Sequence, residues 1–166
     1  QPGQDRGVQR AVDVDGTRNV LEACVAVGVD KLIYTSSGAA YGYHPDNACR
    51  LREDAPLRGN QAFAYAWHKK LVEEMLAEYR TEHPQLKQLV FRVSTILGRD
   101  VNNQITALFE RPVVVGLRGV ATPFCFIRDV DVVACLVKGV REPDTSGVFN
   151  LTADGVMTLR EIAAAD

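Results

Sequence analysis

Residues 13–36 read DVDGTRNVLEACVAVGVDKLIYTS, and this stretch decides the fold class. Its first part has apolar residues at helical spacing, namely Val20, Leu21, Cys24 and Val25. Asp13 or Asp15 could cap the start of this helix, and Gly28 could end it. After one tight turn, the β-branched and aromatic run KLIYTS is typical of a buried strand. The stretch therefore predicts a helix followed directly by a strand.

The same alternation continues along the chain. Further helices are predicted over residues 62–80, near 103–110, over 131–140, and after a capping box of Thr158 and Glu161. Further strands are predicted over residues 87–93, 112–115, 123–127 and 148–152. Strands that alternate with helices favour right-handed βαβ crossovers, so we expect an α/β fold with a parallel sheet and helices on both faces.

The composition excludes several classes of protein. The chain has 166 residues, 46% of them hydrophobic and 24% charged, and a formal net charge of −2. Without a basic run it has no electrostatic means of binding nucleic acid or an acidic membrane, and its apolar stretches are too short to span a bilayer. This composition predicts a soluble globular protein.

The four cysteines are far apart and form no CxxC pair; they are Cys24, Cys49, Cys125 and Cys135. We interpret them as reduced core thiols of an intracellular, cytoplasmic protein rather than as disulfides or zinc ligands. No histidine, cysteine or carboxylate pattern has metal-ligand spacing, so we expect no metal site. Structural or solvated roles are expected for the three histidines, His44, His68 and His83.

Ligands of parallel α/β sheets bind beyond the carboxyl ends of the strands. This rule places residues 35–38 and 94–97 at the working edge of the predicted sheet. The loop over residues 38–61 follows the first of these strands and is long enough to suggest a functional role.

Tyr65 and Lys69 stand four residues apart near the start of a predicted helix, so their side chains share one face. An ammonium group beside a phenol stabilises the phenolate and lowers the pKa of the tyrosine, which favours proton exchange near neutral pH. The spacing alone is also compatible with a core-edge tyrosine and a solvated Lys69 that pairs with Glu73. Both interpretations stay open at this point.

Ser36 and Ser37 end the strand at the working edge, where a hydroxyl could bind a substrate oxygen. A turn serine that caps its own backbone is an equally good interpretation. The segment YTSSGAAYG does not spell GxSxG, which excludes a nucleophile elbow.

Five segments together resemble a known family: DVDGTRNVLEACVAVGVDKLIYTSSGAAYG, YAWHK, FRVSTILG, FCFIRDVDVVACLVKGV and GVFNLTADGVMTLREIA. In this order and spacing they are similar to the extended short-chain dehydrogenase/reductase superfamily, and more narrowly to its NAD-dependent epimerase/dehydratase branch. The resemblance implies a Rossmann-like doubly wound parallel sheet, with residues 1–98 as the later part of the dinucleotide-binding domain. Residues 99–166 would combine segments of a small C-terminal substrate lobe with returning Rossmann elements.

The resemblance also implies an active site. Tyr65 matches the family's acid/base tyrosine, and Lys69 matches the lysine that lowers its pKa and binds the nicotinamide ribose of NAD or NADP. Ser37 matches the hydroxyl that orients the reacting oxygen of the substrate. The cofactor-binding residues implied at the next strand end are Val93, Ser94 and Ile96, and Thr95 lies where relatives contact substrate.

The chain departs from the family pattern at several places. Asp13 stands where the motif usually has Asn, Arg128 where many relatives carry His, and Val93 where many carry Pro. No GxxGxxG follows a strand, so the glycine loop that holds the pyrophosphate is expected upstream of Gln1. Without the strands expected there, a hydrophobic sheet edge and one face of the first helix would be open to water.

The sequence therefore favours an NAD(P)-dependent oxidoreductase or epimerase/dehydratase that acts on a carbinol or carbonyl carbon of a small-molecule substrate. The alternative is a non-catalytic dinucleotide-sensing or scaffold protein of the same fold. By resemblance, the helices over residues 13–28 and 62–80 would pair across a homodimer axis.

Overall fold

In a computed structural model of the chain, the described residues are 5–99, 101 and 123–164. The helices are α1 (Arg6–Arg10), α2 (Gly16–Val27), α3 (Ala64–Glu82), α4 (Asp129–Arg141) and α5 (Leu159–Ala163), with a π-helical turn at Ala11–Asp15 and a 3₁₀ turn at Gly38–Tyr41. The strands are β1 (Lys31–Ser37), β2 (Lys87–Val93), β3 (Thr95–Leu97), β4 (Pro123–Phe124), β5 (Phe126–Arg128), β6 (Gly147–Leu151) and β7 (Met157–Thr158).

The main sheet has the strand order β1-β2-β6, and both pairings are parallel. β2 is the central strand, and its residues 88–93 are all buried, including the polar Gln88 and Arg92. The register pairs Ser37 with Val93 and Val93 with Leu151, so the three carboxyl ends meet at one edge. The predicted α/β class with a parallel sheet is confirmed.

Helices cover both faces of this sheet. Successive side chains of β2 point to opposite faces, so neighbouring residues of this strand pack against different helices. Val90 packs in a core with Leu21 of α2 and Leu76 of α3. Leu89 packs in a second core with Val132 of α4. Within α4, a Cβ added at Gly139 would lie 2.6 Å from Leu89 Cδ2, so this helix lies directly on the strand.

The first helical segment begins earlier than the sequence pattern predicts. Asp5 is the N-cap of α1, where its side chain accepts a hydrogen bond from the Gly7 amide. α1, the π-helical turn and α2 follow one another without a break, so the prediction that Asp13 or Asp15 caps the start is wrong. The predicted end is confirmed, since Gly28 adopts the left-handed conformation with φ of 71°.

Most other predicted bounds differ little from the observed ones. The run over residues 123–127 is two strands rather than one, because β4 pairs with β7 whereas β5 pairs with β3. The capping box of Thr158 and Glu161 is confirmed at the start of α5. The elements predicted near 103–110 and over 112–115 lie outside the described residues.

All four cysteines are free, but the prediction that they lie in the core is partly wrong. Cys24 and Cys135 are half-buried, whereas Cys49 and Cys125 are exposed. Cys125 is exposed because it occupies the break between β4 and β5. Of the helices described here, none combines the length and the apolar character needed to cross a bilayer.

Candidate functional site

Tyr65 and Lys69 lie on one face of α3, within its first two turns. The ammonium nitrogen of Lys69 is 5.7 Å from the centre of the Tyr65 ring and 5.0 Å from the centre of the Tyr34 ring. These side chains border a cavity of about 170 Å³. Its lining residues are Val12, Asp13, Thr17, Tyr34, Tyr65, His68, Lys69 and Val72.

Two hydrogen bonds hold Lys69 against the end of β1. Its ammonium group donates to the Thr35 carbonyl at 3.1 Å and to the Tyr34 hydroxyl at 3.3 Å. Burial lowers the pKa of Lys69, and the negative charges of Asp13 and Glu73 partly oppose this effect. The side chain is thus directed toward the two tyrosines, while the neighbouring Lys70 makes the surface pair with Glu74.

A carboxylate–imidazole pair also lines the cavity, and the sequence pattern did not predict it. His68 Nδ1 lies 2.9 Å from Asp13 Oδ2, and the His68 side chain is 7% exposed. Burial raises the pKa of Tyr34 to about 12, and the charge of Asp13 adds to this effect. The available signals were the Asp at the usual Asn position and a histidine directly before Lys69.

Ser37 lies at the same strand end but is not among the residues that line this cavity. Its hydroxyl oxygen accepts a hydrogen bond from the Ala39 amide at 3.1 Å and caps the 3₁₀ turn. Ser36 faces α3, where its buried hydroxyl donates to Glu73 at 2.5 Å. The structure therefore places Tyr65 and Lys69 in one cavity and Ser37 beside the strand end that Lys69 contacts.

The segment from Val93 to Ile96 continues along this sheet edge. Val93 is buried, and the Ser94 amide donates to the Leu151 carbonyl at 3.0 Å. Within the described part of the chain, the Ser94 hydroxyl oxygen is buried and has no hydrogen-bond partner. Thr95 begins β3 in a half-buried position, and Ile96 packs against the second core. Across residues 5–99, 101 and 123–164, no group of three or more potential metal ligands occurs.

A family model described as the NAD dependent epimerase/dehydratase family matches residues 4–151. An uncharacterized protein of Mycobacterium tuberculosis is 30% identical over 162 residues, which are 96% of this chain and 15% of that protein. The sterol-4-alpha-carboxylate 3-dehydrogenase of Schizosaccharomyces pombe is 33% identical over 93 residues, which are 56% of this chain and 26% of that enzyme.

Among solved structures, the chain is similar to the UDP-glucose 4-epimerase of Thermus thermophilus in complex with NAD. The TM-score is 0.76 at 26% identity, and the match covers 94% of this chain and 53% of the epimerase. The fold is thus the Rossmann-like fold of the epimerases. The chain spans about half of this structure and a smaller share of the curated relatives.

Proposed function

The chain belongs to the NAD-dependent epimerase/dehydratase family of the extended short-chain dehydrogenase/reductases, and we propose that it carries the catalytic groups of an NAD(P)-dependent oxidoreductase or epimerase/dehydratase. The reaction would occur at a carbinol or carbonyl carbon. Family members are generally enzymes. The residue roles and the substrate are our proposal.

One observation carries this proposal: the desolvated ammonium group of Lys69 lies 5.7 Å from the ring centre of Tyr65. A cation at this distance stabilises a phenolate more than a phenol, and the effect is larger where water is excluded. Tyr65 is 46% exposed, which leaves its ring accessible to a substrate. In our proposal, Tyr65 exchanges a proton with the reacting oxygen and Lys69 stabilises the phenolate form.

Ser37 would hold the reacting oxygen of the substrate. Its hydroxyl oxygen accepts from the Ala39 amide, so its own proton remains available for donation. The pairing of Ser37 with Val93 places it at the edge where β1 and β2 both end. A hydroxyl there, close to the Thr35 carbonyl that binds Lys69, supports this role.

The residues of this edge fit a dinucleotide. With two of its three ammonium N–H groups on Tyr34 and Thr35, Lys69 has one left to donate to a ribose hydroxyl. The Ser94 hydroxyl, buried without a partner among the described residues, is a polar group that a ligand could satisfy. We propose that Tyr65, Lys69, Val93, Ser94 and Ile96 border the nicotinamide end of NAD or NADP. The bound cofactor supplies hydride transfer at the nicotinamide.

The relatives indicate only a broad substrate class, because they include both a UDP-glucose epimerase and a sterol dehydrogenase. We propose a small-molecule secondary alcohol or ketone, with Thr95 among its contacts. We also propose a homodimer in the cytoplasm. The exposed valines of the first helical segment, Val8, Val12, Val20 and Val27, support a helix-mediated contact, and the free cysteines fit a reducing compartment.

A non-catalytic dinucleotide sensor is the second candidate. The hydrogen bond that Ser37 accepts from the Ala39 amide favours it, because a serine that caps a turn needs no substrate. The two candidates differ in turnover. With the full-length protein that contains this chain, we expect a panel of carbonyl compounds to cause oxidation of NADH or NADPH. This oxidation is measured by ultraviolet absorbance. Dinucleotide binding without oxidation across the panel would favour the sensor.

A further inference from the structure

His68 is a buried titratable side chain beside the candidate site that the reaction proposed above does not use. It precedes Lys69 in the chain and lines the same cavity as Lys69 and Tyr65. The residue is 5% exposed, and its Nδ1 atom lies 2.9 Å from Asp13 Oδ2. Its Nε2 atom has no hydrogen-bond partner among the residues that the structure describes. One nitrogen of a buried imidazole is therefore free to exchange a proton.

Asp13 determines which nitrogen of His68 is basic. An ionised carboxylate only accepts hydrogen bonds, so Nδ1 donates, and Nε2 of the neutral ring carries the lone pair. The same carboxylate stabilises the imidazolium that forms when Nε2 takes up a proton. Asp13 replaces the Asn that the family motif usually has, and an amide carries no charge that could supply this effect.

The pair extends from the cavity toward solvent. The side chain of His68 is 7% exposed, whereas that of Asp13 is 46% exposed. A proton on the buried imidazole can therefore leave along the hydrogen bond to an accessible carboxylate. The cavity of about 170 Å³ has room for several water molecules, because one occupies about 30 Å³ in the liquid. Tyr65 and His68 both border this space, so a proton can cross it by way of water.

We propose that His68, held by Asp13, takes up the proton that Tyr65 must release after each oxidation of a secondary alcohol. This inference rests on the proposed function, in which Tyr65 exchanges a proton with the reacting oxygen. The carbinol C–H passes as a hydride to the oxidised nicotinamide, and the carbinol O–H proton passes to the Tyr65 phenolate. The phenol proton then crosses the cavity to Nε2 of His68 and leaves to solvent, which restores the phenolate. His68 thus acts through Tyr65 and not on the substrate.

The charges around the cavity suit a group that both accepts and releases a proton. The titratable groups of its wall, besides His68, are Asp13 of the π-helical turn, Tyr34 of β1, and Tyr65 and Lys69 of α3. Neighbouring charged groups of α1 and α3 have partners of their own: Arg6 the Ala62 carbonyl, Arg10 Asp15, Lys70 Glu74, and Glu73 Arg92. Arg18 and Glu22 of α2 are exposed and do not line the cavity. The Asp13 carboxylate favours a positive charge on His68, and the Lys69 ammonium group opposes it.

The test is the pH dependence of alcohol oxidation by the full-length protein. The probe is the alcohol that corresponds to the carbonyl compound reduced fastest in the panel described above. His68→Gln offers Asp13 an amide N–H but cannot take up a proton. Because an imidazole titrates between about pH 5 and 8, turnover of the parent protein should fall in acid across this range. The variant should lose this dependence, and its turnover at about pH 8 should be about tenfold lower.

Single-turnover kinetics distinguish proton removal from a structural role. The first turnover starts from a phenolate that is already formed, so its rate in His68→Gln should change by less than about twofold. In Asp13→Asn the imidazolium loses its counter-charge, so the fall of turnover in acid should move to lower pH. His83→Gln is the matched control, because His83 is the C-cap residue of α3, outside the cavity wall, and this variant should keep the parent profile.

Nitrogen NMR of the imidazole in the full-length protein, without substrate, tests the tautomer independently of turnover. The neutral ring should carry its proton on Nδ1, and a proton on Nε2 instead would overturn the proposal. So would a parent-like pH profile in His68→Gln, or an equal loss of its single-turnover and steady-state rates. Each of these results leaves the role of Tyr65 intact. A parent protein that turns over no member of the panel would overturn both this proposal and the proposed function.

Discussion

The imidazole of His68 and the carboxylate of Asp13 form a hydrogen-bonded pair with 2.9 Å between Nδ1 and Oδ2, although 55 residues separate them in the chain. Asp13 lies in the π-helical turn and His68 on α3. The pair joins the two helical segments directly beside Lys69. It thereby ties the position of the candidate catalytic helix to the first helical segment.

Removing the carboxylate should destabilise the protein through the buried imidazole. In Asp13→Ala, His68 loses its hydrogen-bond partner while remaining buried, which costs about 1–3 kcal/mol of the free energy of unfolding. Asp13→Asn keeps an acceptor oxygen and should retain most of that free energy. Urea denaturation of both variants measures the difference. Equal stabilities for the two variants would show that the pair does not anchor α3.

The neighbouring residues Glu73 and Glu74 offer a second stability test on α3. Glu73 is buried, and its carboxylate accepts hydrogen bonds from Arg92 at 2.6–3.0 Å and from Ser36. Glu73→Gln leaves the buried guanidinium without its counter-charge and should cost about 3–5 kcal/mol. The measurement is chemical denaturation at neutral pH.

Glu74→Gln is the matched control for that experiment. Among the residues that the structure describes, Glu74 pairs with Lys70, one turn back on the same helix. Such i,i+4 pairs contribute about 0.3–0.5 kcal/mol. A loss for Glu73→Gln as small as this would contradict the structural role assigned to the buried pair.

These contacts show which features of the structure can be predicted from the sequence. The bounds of β2 were predicted correctly because its apolar run ends in a polar pair. The Tyr65–Lys69 pair was identifiable because four residues on a helix bring two side chains together whatever the remaining fold. Local patterns of this kind predict local structure whatever the tertiary structure is.

Contacts between segments that are far apart in the sequence could not be predicted from local patterns. The pair of Asp13 with His68 and that of Glu73 with Arg92 depend on how α3 packs against a helix and the sheet. The helix start at Arg6 was missed because RGVQR has few apolar residues to mark a period, and its contacts with α3 arise only in the folded chain. Ser37 lies at the predicted strand end, and the hydrogen bond that it accepts from the Ala39 amide agrees with the turn-capping interpretation that the sequence left open.

The loop over residues 42–60 should respond to acid through Asp46. Hydrogen bonds from Arg58 lower the pKa of Asp46 from 3.8 to about 2. Because the folded-state pKa is depressed, the carboxylate–guanidinium contact is fully present above pH 3.8 and is lost as the pH falls through about 2. The loop should therefore keep this contact at pH 4.

A carboxyl titration followed by NMR measures this directly. In Arg58→Gln, the pKa of Asp46 should return toward 3.8, whereas Arg52→Gln, which changes an arginine of the same loop, should leave it near 2. A pKa of Asp46 that stays near 2 in Arg58→Gln would contradict the assigned cause.

In the proposed reaction, Tyr65, with Lys69 beside it, exchanges the proton with the substrate oxygen. The most direct test of this role is the turnover number of Tyr65→Phe in the full-length protein, measured together with the dissociation constant of the dinucleotide. Loss of the hydroxyl should reduce turnover by about 10² or more and leave dinucleotide affinity within a few-fold. Turnover close to that of the parent protein would rule out Tyr65 as the group that exchanges the proton.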